Sequence, residues 1–239
     1  RGPVRASRAV RRPSIVACHC QNYVGLYDMA EELRPHGLFL LNCTWKADEL
    51  DSRLPARFRR TLAERHARLF IINATGLAHE LGLGQHVNII LQAAFFRLAR
   101  VIPVDQADKC MEEAVRKTYF AKGEDVVARN VAAVRAGLDN VVEVPVPERW
   151  KALEDDAPTP RVGAPAVVTA LLDPLNAQKG DDLPVSAFAG YEDGQMDMGL
   201  TAWEKRDIAV FVPRWNPEAC VQCNRCSFVC PHATIRPFA

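Results

Sequence analysis

Four cysteines crowd residues 220–230, at positions 220, 223, 226 and 230, spaced C-x2-C-x2-C-x3-C and followed at once by Pro231. No other feature restricts the chain so narrowly. Thiolates at such short intervals share one loop and cannot all reach a tetrahedral zinc ion comfortably. Structural zinc sites pair two knuckles across a long intervening stretch. Cysteines at every third position instead suit a loop wrapped around a larger, cubic object, and the run with its proline is the spacing that holds [4Fe–4S] clusters in bacterial proteins. Where two clusters are present, the fourth cysteine of the run serves the other one. Cys220, Cys223 and Cys226 are therefore expected at one cluster and Cys230 at a second. Pro231 turns the chain after Cys230, because it has no amide to give to a helix or a ladder.

No second run of this kind occurs in the 239 residues, and the sequence opens on Arg1 without a leader pattern. The expectation is an internal part of a longer polypeptide. At 49% hydrophobic residues the chain can bury a substantial core. Thirty basic and 29 acidic residues leave a net charge of +1, which points to neither nucleic acid nor an anionic membrane as partner. No apolar run approaches the ~18 residues of a membrane span. Eight cysteines, four of them in the terminal motif, fit a reducing, cytoplasmic setting better than a disulfide scaffold.

Upstream, apolar runs at 14–18 (SIVAC), 38–42 (LFLLN) and 68–73 (RLFIIN) have the length and composition of buried strands. Helical spacing separates them, in LYDMAEEL (26–33), closed by Pro35 and Gly37, and in RFRRTLAERHA (57–67). Strand and helix alternate, so the fold class expected is α/β, a layered α/β/α domain with a mostly parallel sheet. Gly82 and Gly84 break a short helix, and an apolar, buried helix runs from about Val87 to Arg100. Two more helices follow over 105–119, with Asp105 as N-cap, and over 123–140; VVEVPVP (141–147) is a closing strand. Residues 145–165, rich in Pro, Ala and charge, read as a linker. Little periodicity remains over 166–213 beyond a strand in DIAVFVP (207–213).

These stretches carry a family resemblance. VACH (16–19), GLG followed by VN (82–88), QAAFFRLARVIP (92–103), KTY (117–119), KGE (122–124), DDLPVSAF (181–188), WEKR (203–206) and CVQCNRCSFVCPHATIRP (220–237) are similar, in order, to an internal part of pyruvate:ferredoxin (flavodoxin) oxidoreductases. The resemblance implies a gamma-like domain over 1–147, a connecting segment named for Glu-Lys-Arg over 148–213, and the start of a two-cluster ferredoxin-like domain over 214–239. It implies oxidative decarboxylation of pyruvate with coenzyme A to acetyl-CoA and carbon dioxide, with electrons leaving through [4Fe–4S] clusters to ferredoxin or flavodoxin. Thiamine diphosphate and magnesium would belong to other domains of the same enzyme, and the whole chain would be a homodimer. Gln85 and His86 stand where the family commonly has a glycine and an arginine, and PVRAS replaces a Pro-Ile-Arg-Ser pattern. Two other readings stay open: a non-catalytic electron carrier whose large domain docks a partner, and a relative acting on another 2-oxoacid.

Coenzyme A contacts are sought where an anion is welcome. GLGQHVN is a glycine turn opening a helix, where free amides and the dipole favour phosphate. Asn88 and Gln92, one turn apart, would present two amides from an otherwise apolar helix, with His86 beside them. Arg5 is a further candidate for a phosphate. Cys18-His19-Cys20 tempts a metal reading, but strand alternation sends His19 to the opposite face, so packing is expected. Cys43 and Cys110 are read as buried small hydrophobes, Glu204, Lys205 and Arg206 as a structural ion cluster, and Met196 and Met198 as loop residues without a chemical role.

Overall fold

Four strands make one sheet, in the order β1 (Ile15–Cys18), β2 (Leu38–Asn42), β3 (Arg68–Ile72) and β4 (Val142–Val144). The first three run parallel, with Ile15 beside Leu38 and Leu38 beside Arg68, and β4 pairs antiparallel to β3. The computed structural model describes residues 10, 12–155, 161–204 and 212–237. Its two compact units are Arg1–Ile208 and Ala209–Ala239.

The inner strands β2 and β3 are almost continuously apolar because both of their faces are covered, as in parallel sheets generally, whereas the edge strands β1 and β4 are partly exposed. Phe39, Leu41, Leu69 and Ile71 point to one face, where they meet Phe58, Leu62 and Trp150. Leu40, Phe70 and Ile72 point to the other and meet Ile90, Leu91 and Ala94. On the first face lie α1 (Leu50–Arg53) and α2 (Ala56–Glu64). The second face carries α3 (Ala74–Glu80) and α4 (Asn88–Ala99). Behind α4 pack α5 (Val104–Tyr119) and α6 (Glu124–Asp139), through Ala93, Met111, Val115, Val131 and Val134. The layered α/β/α order and the mostly parallel sheet are as the sequence leads one to expect. Gly137 of α6 lies against α4 so closely that a Cβ there would stand 2.2 Å from the Ile90 carbonyl oxygen.

Three local expectations need correction. The helix expected over 26–33 does not form. Glu31 N–H reaches Asp28 O and Leu33 N–H reaches Ala30 O, so the segment is a chain of tight turns that buries Ala30 and Leu33. Eight residues are too few to repay helix nucleation, and Pro35 draws Arg34 away from helical backbone. α5 starts one residue early, with Pro103 in the cap position and Asp105 inside the first turn, where its charge still faces the positive helix end. The start of the linker is docked rather than free. A 3-10 turn over Glu148–Ala152 leaves Trp150 only 3% exposed, and its indole N–H donates to Asp51. Arg149 binds the same carboxylate, and the Arg59 guanidinium lies 5.9 Å from the Trp150 ring centre.

Residues 161–204, where the sequence shows little periodicity, hold a continuous helical stretch over 166–176. In it a π-turn at Val168–Leu172 buries Val168 and Leu171 and runs into α7 (Asp173–Asn176), stapled by an Arg161–Asp173 ion pair at 3.0 Å; single 3-10 turns follow. The strand expected in 207–213 falls mainly on 207–211, outside the described residues, as do Arg5, Lys205 and Arg206.

Candidate metal centre and ligand groove

The terminal segment folds as two loops around one short helix, α8 (Arg225–Val229). Gln222 and Asn224 both take left-handed backbone, at φ 55° and 56°. Side chains other than glycine resist that conformation by ~1–2 kcal/mol each, so two in one short loop mark a backbone bent to a purpose. The bend turns amides toward sulfur. Gln222 N–H lies 3.4 Å from Cys220 Sγ, and that bond, aided by Trp215, holds the Cys220 thiol below its ordinary pKa. The amides of Ile235, His232 and Thr234 do the same for Cys230.

Cysteines elsewhere are treated oppositely. Burial pushes Cys18 up to about 12 and Cys43 to about 11. A metal ligand must be a thiolate, and the chain favours thiolate at Cys220 and Cys230 while disfavouring it at Cys18 and Cys43 in the core. Exposed Cys220, Cys223 and Cys226 and half-buried Cys230 are all free of disulfides. Among the described residues no three His, Cys, Asp or Glu side chains are gathered to share one metal ion. The donor chemistry suits an iron–sulfur cluster, which supplies its own bridging sulfide and asks the protein for separated thiolates.

A second site lies between α4 and α5. Asn88 opens α4 and Gln92 follows one turn later; both are exposed and both line a groove of about 450 Å3. Ile89, Phe96 and Met111 make it apolar, while Cys110, Thr118 and Tyr119 add polar atoms from α5. Gly82 and Gly84, at φ 68° and 60°, form the turn that ends α3 and aims the chain into α4. His86 is exposed in that turn and is not part of the groove wall.

The remaining candidates sort simply. Cys18 is core and donates its S–H to Cys20 O at 2.9 Å, while His19 faces out. Cys43 is buried, as expected. Cys110 is not: it is exposed on α5, beside the buried Ala107–Met111 stripe rather than within it. The α5 contribution to the groove escaped the sequence reading. Its signal was the small and polar pair Cys110 and Thr118, two helical turns apart at the margin of that stripe.

Fold and cysteine run together define an iron–sulfur protein built on a parallel α/β domain. Family comparison agrees: the profile for pyruvate ferredoxin/flavodoxin oxidoreductase matches residues 1–140. A domain of unknown function named EKR matches 154–209, and a 4Fe–4S binding domain matches 212–235. The chain belongs to the pyruvate ferredoxin/flavodoxin oxidoreductase family. It is 44% identical to pyruvate:ferredoxin oxidoreductase of Moorella thermoacetica over 99% of its length, covering 20% of that protein. To pyruvate-flavodoxin oxidoreductase of Klebsiella pneumoniae it is 43% identical over 98%, again covering 20%. It thus spans about a fifth of the length of the curated relatives it matches. A solved pyruvate oxidoreductase subunit from Thermotoga maritima aligns over 56% of this chain and 66% of its own, at 18% identity and a TM-score of 0.45. No helix among the described residues is long and apolar enough to cross a membrane.

Proposed function

We propose that this chain is the coenzyme A-side domain and part of the electron relay of an enzyme that oxidises pyruvate. With coenzyme A it would yield acetyl-CoA and carbon dioxide, and pass electrons to ferredoxin or flavodoxin. What carries the reading is one observation: relatives so named match nearly the whole chain, through the α/β domain and into the cysteine run. Cys220, Cys223 and Cys226 would hold one [4Fe–4S] cluster and Cys230 would reach another, each cluster accepting and releasing one electron at a time. The amides of Gln222, His232, Thr234 and Ile235 then stabilise sulfur charge and help set the potential.

The α4–α5 groove suits the amphipathic chain of coenzyme A. Its wall is apolar, and the Asn88 and Gln92 amides fix a polar ligand at one edge. Backbone amides at the start of α4 favour an anion, with His86 in the approaching turn; Arg5 is kept as a phosphate contact from the sequence alone. Thiamine diphosphate and magnesium belong, in this proposal, to the other domains of a cytoplasmic homodimer, and the boundaries 1–147, 148–213 and 214–239 separate the parts supplied here.

The test uses the intact gene product that contains this segment, purified without oxygen. Pyruvate and coenzyme A together should reduce ferredoxin or flavodoxin and release acetyl-CoA. Reduction that ignores coenzyme A, or that proceeds only with another 2-oxoacid, contradicts the proposal.

A further inference from the structure

A larger cavity, of about 550 Å3, lies on the far side of α4 from the turn that opens it. Its floor is apolar, from Leu38, Phe70, Leu98 and Val141, and its charged groups are Arg68, Arg97, Arg100 and Glu143. Three guanidinium groups thus face a single carboxylate. That carboxylate is already committed, since Glu143 takes both Arg68 nitrogens, at 2.8 and 2.9 Å. The same Arg68 lies 5.0 Å from the Phe70 ring centre, which fixes its plane. Arg97 and Arg100 have no side-chain partner among the described residues.

Arg100 is the unusual one. It caps α4 in left-handed backbone, φ 46° and ψ 34°, a position where glycine is the ordinary choice. A long cationic side chain placed there at a conformational cost invites explanation by what it reaches. Attraction to the negative end of α4 accounts for one arginine in the last turn. It does not account for a second on strained backbone, or for both opening on a cavity walled by a third.

We propose that this cavity binds a small oxyanion on an apolar body, an organic phosphate monoester or a dicarboxylate. Arg97 and Arg100 grip the anionic group, and Arg68, held flat by Glu143 and Phe70, sets the wall it rests on. The volume is in the range of small-molecule sites. The site is separate from the α4–α5 groove and does not depend on coenzyme A binding there.

Calorimetric titration of the intact gene product that contains this segment tests this, with inorganic phosphate in one arm and succinate in the other. The expected result is saturable, one-to-one binding of at least one probe, the tighter naming the source chemistry. Arg97→Gln and Arg100→Gly should each weaken it by about tenfold or more, and Asn88→Ala should leave it unchanged. Arg100→Gly should also raise the melting temperature, since it relieves left-handed strain, which keeps a folding defect from imitating the loss of a site. Failure of both probes to saturate, or binding in both arginine variants equal to that of the parent chain, overturns the proposal. So does loss of binding in Asn88→Ala, which would place the anion at the start of α4. Coenzyme A affinity is unaffected by any of these outcomes and reports on the groove alone.

Discussion

Gly137→Ala perturbs the packing of α6 on α4, the helix that forms one wall of the ligand groove. In an exposed helix the change favours folding by about 1 kcal/mol, because alanine is the better helix former. Here the new Cβ would stand 2.2 Å from Ile90 O and 2.8 Å from the Ala93 Cβ, where ordinary contact begins at 3.4 Å. Backbone carbonyl cannot rotate away as a side chain can, so α4 and α6 must part by about 1 Å, and a close-packed interior resists that. Overpacking of this kind costs ~1–3 kcal/mol, and a backbone clash belongs near the upper end. Net of the helix gain, the variant should lose about 2 kcal/mol, or roughly 4–8 °C in melting temperature for a chain of this size. Thermal unfolding followed by circular dichroism reads it directly. Because α4 also carries Asn88 and Gln92, coenzyme A affinity should fall with stability. A melting temperature equal to or above that of the parent chain would refute the close α4–α6 packing.

Four further outcomes are expected. Asn88→Ala and Gln92→Ala weaken coenzyme A binding to the gene product and leave its iron content unchanged; equal affinity returns both to helix packing. In the metal-free chain, iodoacetamide labels Cys220 and Cys230 well before Cys18 and Cys43, as mass spectrometry of timed aliquots would show, since burial holds the latter thiols at about 12 and 11; equal rates would undo the division into ligand and core cysteines. Cys223→Ala lowers bound iron by about four per chain, as loss of one [4Fe–4S] cluster requires, whereas Cys43→Ala lowers stability and spares iron. Asp51, held below the ordinary carboxylate range by the Trp150 indole and then by Arg149, contributes stability that is complete above its unfolded pKa of ~3.9 and is lost as pH falls through the lower folded value. The melting temperatures of the parent and of Asp51→Asn should therefore converge on acidification; a constant gap contradicts the linkage.

Legibility in the sequence followed burial. β2 and β3 were readable because both of their faces are covered, which leaves unbroken runs such as Leu38–Leu41, and β1 was readable by its apolar composition although only Cys18 is buried. The amphipathic helices α2, α5 and α6 declared themselves by period. What misled was local chemistry overruled by neighbours. LYDMAEEL has helical spacing, yet its buried pair, Ala30 and Leu33, is served by turns. Trp150 sits in a stretch that composition marks as linker, and only Asp51, 99 residues away, reveals that it is docked. The cysteine run was legible as chemistry because spacing alone restricts it. The thiolate-stabilising amides were not, since they lie beside left-handed backbone at Gln222, next to Cys220, and at Ala233, next to Cys230, residues whose type does not demand it. The α5 wall of the groove and the Arg68–Arg97–Arg100 cavity arise from elements distant in sequence, and no short window holds them.

Iron and acid-labile sulfide, measured on the intact gene product purified without oxygen, bear most directly on the claim that this polypeptide conducts electrons through cysteine-held clusters. The account predicts a brown protein with iron and sulfide in equal amounts, at least four of each as a single [4Fe–4S] cluster requires, and a loss of both in Cys220→Ala. A colourless protein without sulfide, or one holding a single zinc ion on the same cysteines, would contradict it.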